Sequence, residues 1–146
     1  MNISKQASLL FHGIEIVQTN YSSKKRYSKD LKVPIDLNIT PKVFYPKDNK
    51  KAFSIIMEAN IYVDKYFELE IAAVGHFELN GEITSEIKLT FINTSAPAIM
   101  FPYLRSFIST FTSSVGIASG TLIIPPQFFS GKLETLEEEE NFSEEE

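Results

Sequence analysis

Residues 53–73 read FSIIMEANIYVDKYFELEIAA, and this stretch decides the fold. Apolar side chains recur at every second position in both halves of the stretch. A period of two is that of a β-strand with one buried face and one solvated face. Between the halves, Asp64 and Lys65 form a polar pair that predicts a hairpin turn. The stretch therefore predicts two adjacent antiparallel strands.

The residues before this hairpin predict two further strands. Residues 33–39 repeat apolar side chains at a period of two, and Pro34 lies among them. Because proline cannot donate a ladder hydrogen bond, Pro34 indicates an edge strand or the start of a strand. Residues 9–18 are apolar at both odd and even positions, which is typical of a strand covered on both faces.

The residues after the hairpin change to helical spacing. Apolar side chains between Ile83 and Phe91 recur at that spacing. Thr94 and Ser95 are good helix caps and predict that a second helix begins there. Pro102 is expected to kink this helix or to delay its start. Strands followed by helices predict an α+β domain, with the helices packed on one face of an antiparallel sheet.

Charge divides the 146-residue chain into two parts. Eight of its 19 acidic residues lie at 134–146, so residues 1–133 hold 14 basic and 11 acidic residues. We expect one domain over 1–133 and an acidic tail over 134–146, disordered from Glu137 because like charges repel at helical spacing. The chain has no cysteine and no long apolar run, which predicts a cytoplasmic protein without membrane insertion.

Sequence motifs for catalysis are missing. His12 and His76 have no metal-ligand or triad spacing around them, and Ser85-x-x-Lys88 lacks the motifs that accompany it in acyl enzymes. We therefore expect no enzyme activity, no metal and no cofactor. A small-ligand enzyme on an α+β scaffold would instead need a polar pocket.

Charged clusters offer surfaces for partners. Glu68 and Glu70 share one strand face, which is either a solvated surface or a docking patch for a basic partner. The basic cluster between Lys24 and Lys32 is interpreted as a solvated loop, so we expect no nucleic-acid binding.

Aromatic residues are abundant towards the C-terminus. Phe128 and Phe129 are adjacent and follow two prolines, so both cannot easily face inward. Apolar surface beyond the core of one protomer indicates contacts between copies of the chain or a groove that binds apolar segments.

Residues 96–105 read APAIMFPYLR and resemble the SecB family of protein-export chaperones. In that family a proline and a short aliphatic run precede Phe-Pro-Tyr-x-Arg at the start of the long helix. Residues 122–128, LIIPPQF, resemble the segment that follows the helix, and residues 67–79 resemble the last strand. Residues 27–31 resemble the start of the second strand, with Leu31 in place of the expected tryptophan.

The resemblance implies a four-stranded antiparallel sheet, a homotetramer built as a dimer of dimers, and long grooves for unfolded polypeptides. It implies that client binding uses Tyr27, Leu31, Phe128, Phe129 and Leu133. With the apolar helix 98–115, it implies an oligomer interface of Phe101, Tyr103, Leu104, Phe107 and Phe111. The expected function is that of an ATP-independent holdase that keeps preproteins competent for export.

The resemblance also leaves the partner open. The family docks the SecA motor ATPase through acids on the first and last strands, and Glu70 matches the last-strand acid. Gln18 and Ser22 stand near the first-strand positions and are not acidic. The alternative is the branch of SecB-like chaperones that protects the antitoxin of a toxin–antitoxin system.

Overall fold

The computed structural model describes residues 6–27, 33–115 and 132–136. Within these ranges the chain forms a sheet followed by a long helical segment, with one short strand after it. The elements in chain order are β1 (Ser8–Ser23), β2 (Asp36–Phe44), β3 (Ala52–Val63), β4 (Phe67–Asn80), α1 (Ser85–Thr90), a π-helical turn (Phe91–Ser95), α2 (Ala96–Ser114) and β5 (Glu134–Leu136).

The sheet has five strands in the order β1-β4-β3-β2-β5. Strands β1 to β4 pair antiparallel, whereas β5 lies parallel to β2. The α+β fold class and the antiparallel sheet are therefore confirmed. The fifth strand was not predicted, because it is only three residues long and begins the acidic stretch at 134. The rest of that stretch, residues 137–146, lies outside the described residues.

The β3–β4 hairpin forms the centre of the sheet, as its alternation predicts. Tyr66 N donates to Val63 O at 2.9 Å across the turn, and Lys65 adopts a positive φ of 71°. The odd-numbered residues of both strands point to the helix side and are buried. The largest of them are Phe53, Ile55, Met57, Ile61, Phe67, Leu69, Ile71 and Phe77.

Two β-bulges shift the face of β1. The register against β4 jumps between Phe11 and Gly13 and again between Ile16 and Gln18. Val17, the extra residue at the second bulge, is 53% exposed. The helix-facing residues therefore change from odd to even and back to odd, through Leu9, Phe11, Ile14, Ile16, Thr19 and Tyr21. The prediction that β1 is covered on both faces was wrong. Each bulge shifts the helix-facing side by one residue, so a strand with one buried face has apolar residues at both odd and even positions.

The predicted first helix and the predicted second helix form one continuous helical segment. Thr84 caps it, since its Oγ1 accepts a hydrogen bond from Ile87 N at 3.1 Å. Ser95 is already helical and makes no capping bond, so the predicted start at Thr94 and Ser95 was wrong. Neither Pro97 nor Pro102 ends the helix. The π-helical turn, in which Ala96 N donates to Phe91 O, comes directly before the first of these prolines.

Helix α2 packs against β4 and β1 through one apolar face. Met100 on this face is fully buried and lies over Gly75 of β4. A Cβ atom at Gly75 would stand only 2.9 Å from Met100 Sδ, so glycine permits the close approach of helix and strand. In the described part of the chain, no helix combines the length and the apolar character needed to cross a membrane.

Candidate peptide-binding surfaces

The even-numbered residues of β3 and β4 point away from the helix and form the outer face of the sheet. Cross-strand register places Glu70 between Asn20 and Asn60, and Glu68 between Ser22 and Tyr62. Both predicted docking carboxylates therefore lie on this exposed face, in neighbouring rows.

The surroundings of Glu68 and Glu70 are polar. Lys24 Nζ is 3.9 Å from Glu68 Oε1, a solvent-exposed ion pair that contributes little to stability. Tyr62 donates a hydrogen bond to Asp64 Oδ1 at 3.0 Å, and this bond, with the charge of Asp64, raises the pKa of the Tyr62 phenol. A depression of about 100 Å³ beside Glu70 is lined largely by amides and carboxylates, namely Gln18, Asn20, Glu58 and Asn60.

Both histidines lie at the other end of the outer face. His12 Nε2 is 2.9 Å from Glu78 Oε1, and His76 Nε2 is 2.6 Å from Glu15 Oε1. Ser54 Oγ lies 3.3 Å from His76 Nδ1. These contacts border a depression of about 780 Å³ that also exposes apolar side chains.

The serine, histidine and carboxylate contacts lie on the outer face of the sheet. Ser54 lies near the start of β3 and pairs with Phe44 of β2 and His76 of β4, so its backbone N–H is directed into the sheet and not towards an oxyanion. Over residues 6–27, 33–115 and 132–136, no cluster of three or more histidine or carboxylate ligands could hold a metal.

Two of the five predicted client-binding residues are buried in this protomer. Tyr27 is 4% exposed and packs against the rings of Tyr66 and Phe67, at centroid distances of 5.9 and 5.5 Å. Leu133 is 8% exposed, and its backbone N donates to Asn93 Oδ1 at 2.9 Å. The other three residues, Leu31, Phe128 and Phe129, lie outside the described residues.

Tyr27 and Leu133 lie near opposite ends of β2. The contacts of Tyr27 are at the β3–β4 turn, beside the Asp36 end of β2, whereas Leu133 precedes the pairing of Glu134 with Lys42. The edge of β2 that faces away from β3 runs between them. Among the described residues, only β5 pairs with this edge, at residues 42–44.

An apolar shelf follows the open part of this edge. Its members are less buried than the fully enclosed β3 residues beside them, and they are Val33, Ile35, Leu37 and Ile39. Val33, Leu37 and Ile39 still pack against the core, so the shelf is continuous with it. Sequence reasoning found the alternation of these residues but did not assign them to client binding. Their position on an edge strand, suggested by Pro34, was the available signal.

Helix α2 divides the predicted interface residues into two groups. Phe101 and Leu104 are buried against the sheet of their own protomer. Tyr103 is 52% exposed, and its ring lies 5.2 Å from that of Phe11. Phe107 and Phe111 are half-buried and stack on each other at 5.9 Å. The surface available to another copy is therefore formed by the outward-facing residues of the helix.

Comparison with known proteins gives consistent results. A family model described as preprotein translocase subunit SecB matches residues 14–127. The uncharacterized protein MJ0357 of Methanocaldococcus jannaschii is 27% identical over 148 residues, covering 97% of this chain and 94% of that protein.

Two solved structures share the fold. The SecB-like chaperone Rv1957 of Mycobacterium tuberculosis, in complex with a ChAD peptide from the antitoxin HigA1 (Rv1956), matches with a TM-score of 0.64 at 15% identity, covering 82% of this chain and 87% of that chain. A protein of unknown function from Streptococcus agalactiae matches with a TM-score of 0.51 at 10% identity, covering 82% and 98%. The family model covers most of the chain, and the five-stranded α+β architecture agrees with it. The chain belongs to the SecB family.

Proposed function

We propose that this protein is an ATP-independent holdase chaperone of the cytoplasm that binds unfolded preproteins and keeps them competent for export. The observation that carries the proposal is the SecB family match over residues 14–127. The apolar shelf beside an open strand edge supports it, because unfolded chains expose both apolar side chains and unpaired backbone groups.

The mechanism requires no bond chemistry. An extended client places alternate side chains on the shelf, while its backbone pairs with the exposed edge of β2. The five client-binding residues remain part of this proposal: Tyr27, Leu31, Phe128, Phe129 and Leu133. Binding of the unfolded state then lowers the concentration of free unfolded chain by mass action, which delays both folding and aggregation.

A homotetramer arranged as a dimer of dimers is part of the proposal. The outward face of α2 carries Ile99 and Tyr103, whose large apolar side chains are exposed. Half-buried Phe107 and Phe111 extend this surface along the helix. A self-complementary apolar patch of this kind closes as a symmetric oligomer. Light scattering tests the assembly, and a monomer at micromolar concentration would contradict it.

The export role requires a motor partner, and the outer face is the proposed docking surface. Glu68 and Glu70 are both exposed there, next to the polar depression. However, Asn20 and Ser22 of β1 face these glutamates, so the neighbouring strand adds no acid beside them. We expect the double variant Glu68→Gln and Glu70→Gln to weaken any association with SecA, and Glu82→Gln at an exposed position off the sheet serves as its control.

The second candidate function is protection of an antitoxin. It is favoured by one observation, the structural match to a SecB-like chaperone that was solved with an antitoxin peptide. Recovery of the natural partner from the source cell distinguishes the two roles, since the export role predicts preproteins and SecA, and the other predicts an antitoxin.

The holdase activity itself is tested by aggregation of an unrelated protein. Citrate synthase heated in the presence of the purified protein should stay in solution, and addition or removal of nucleotide should make no difference. An equal mass of serum albumin controls for crowding. If the purified protein fails to suppress aggregation at several-fold excess and also fails to bind a permanently unfolded chain, the proposed function is wrong.

A further inference from the structure

Strand β5 is weakly attached to the sheet. In the described ranges it pairs with β2 at three positions, Glu134 with Lys42, Thr135 with Val43, and Leu136 with Phe44. Glu134 and Thr135 are exposed. By register, Thr135 lies on the side of Val43, so the strand places a small polar side chain on the apolar face of the sheet.

Two contacts next to β5 hold it in place. The side chain of Leu133 is buried in the core cluster, and Leu133 N donates to Asn93 Oδ1 at 2.9 Å. Asn93 lies in the π-helical turn that precedes α2. Among the residues that the structure describes, burial of Leu133, its backbone hydrogen bond to Asn93 and the ladder with β2 hold β5 in place.

The edge that β5 occupies is longer than β5. Strand β2 has nine residues, and in the described ranges no strand lies beside Asp36–Pro41 on that edge. An extended chain that followed the whole edge would form a longer ladder and would cover Leu37 and Ile39 of the apolar shelf. A client segment rich in apolar residues would thus pair with β2 more extensively than Glu134–Leu136 does.

We propose that β5 is a displaceable latch on the edge of β2, and that a bound extended polypeptide takes its place. The inference rests on the proposed holdase function and adds a regulation to it. The chain's own strand shows that the edge accepts an extended segment, and client binding exchanges that segment for a longer one. Displacement also releases Leu133 from the core, which reconciles its burial with its assignment to client binding.

The latch has a measurable cost to affinity. If β5 is closed nine-tenths of the time, only about one-tenth of the molecules are competent, and the apparent dissociation constant is raised about tenfold. A variant with β5 detached should therefore bind clients with a lower apparent dissociation constant than the parent. A variant with β5 held in place should bind them with a higher one.

Two opposing variants test the latch. Thr135→Pro fixes φ outside the range usual for a parallel strand at an exposed position, so it should open the latch and tighten binding by about threefold or more. The pair Lys42→Cys and Glu134→Cys should form a disulfide between the paired strands, and since the chain has no cysteine this is the only thiol pair. The oxidised protein should bind at least about tenfold more weakly, and reduction should restore the parent affinity.

The readout is titration calorimetry with reduced, carboxymethylated lactalbumin as the permanently unfolded chain. Thr135→Val keeps the ladder and serves as the matched control, with affinity equal to or below that of the parent. Hydrogen exchange adds a second measurement, in which client binding should protect backbone amides within Asp36–Thr40 and expose those of Glu134–Leu136.

Each outcome decides between the two proposals. If the parent binds the unfolded chain and Thr135→Pro binds with unchanged affinity, the latch is wrong and the holdase function stands. Equal affinities of the oxidised and reduced pair would also overturn the latch. If the parent binds no unfolded chain, the holdase function is wrong and the latch is rejected with it.

Discussion

Adding a methyl group at Gly75 should test how closely α2 packs on the sheet. In the Gly75→Ala variant the new Cβ would lie 2.9 Å from Met100 Sδ and 3.1 Å from Phe77 Cε2. Met100 has a flexible side chain, but it is fully buried and has no open space to enter. The ring of Phe77 lies between those of Phe11 and Phe53, at 5.1 and 5.4 Å. Neither neighbour can move away without disturbing others.

The expected magnitude follows from two opposing terms. Overpacking a well-filled core costs about 1–3 kcal/mol. Replacing glycine by alanine restricts the unfolded chain and returns about 0.4–1 kcal/mol. We therefore expect Gly75→Ala to lower the free energy of unfolding by about 1–2 kcal/mol.

A double variant tests whether the cost comes from contact between residues 75 and 100. Met100→Ala alone should cost about 2–5 kcal/mol through the cavity it leaves. In the double variant the methyl group at position 75 enters that cavity. The loss in free energy of unfolding should therefore be smaller than the sum of the two single losses by about 1 kcal/mol or more. Urea unfolding followed by circular dichroism measures all three variants, at one fixed protomer concentration because assembly contributes to stability.

The control adds a methyl group to the same strand on the opposite face. Val74→Ile lies on the half-buried outer face and should change stability by less than about 0.5 kcal/mol. The packing argument would be refuted if Gly75→Ala were as stable as the parent, or if the effects of Gly75→Ala and Met100→Ala simply added.

Three further predictions follow from the same structure. Thr84→Ala removes the cap on Ile87 N and should cost about 1 kcal/mol in urea unfolding, whereas Thr84→Ser should retain most of the stability. Asp64→Asn removes the charge that favours the neutral phenol, so the pKa of Tyr62 should fall towards its usual value of 10.0; an unchanged value in an NMR titration would contradict the cause. The triple variant Leu31→Ser, Phe128→Ser and Phe129→Ser changes three of the proposed client-binding residues and should lose capture of unfolded chains while its assembly by light scattering stays intact, since large residues at the centre of a binding surface usually contribute about 2 kcal/mol or more.

The centre of the fold could be predicted from the sequence because it follows one rule without interruption. In β3 and β4 every buried residue is odd-numbered, and the register between the strands has no shift. The turn at Asp64 and Lys65 lies where the alternation stops. Local pattern and tertiary structure agree there, so period alone was sufficient.

Both edges of the sheet were harder to predict. The bulges of β1 change which face of the sheet a residue occupies. No residue type marks a bulge unambiguously in the sequence, although Gly13 adopts a φ of +118° at the first bulge. The short β5 has no pattern of its own. Its position depends on Asn93, which precedes Leu133 by 40 residues and whose hydrogen bond no local rule could indicate.

The continuity of the helical segment was missed for a related reason. Thr94 and Ser95, followed by Pro97, carry the local signals of a cap, yet the chain enters them already helical. The true cap, Thr84, was overlooked because the apolar spacing after it is short. Likewise, the candidate site was predicted only in part, since burial of Tyr27 and Leu133 depends on contacts distant in sequence.

The two bulges of β1 also bear on how this strand can change length. Removing His12 or Val17 would turn one bulge into regular pairing and leave the facing of every other residue as it is. A one-residue deletion within β3 or β4, which pair without a bulge, would instead reverse the facing of the residues on one side of it. Related chains can therefore differ by one or two residues in β1 without loss of the fold, and gaps in an alignment of the family should collect at these two positions.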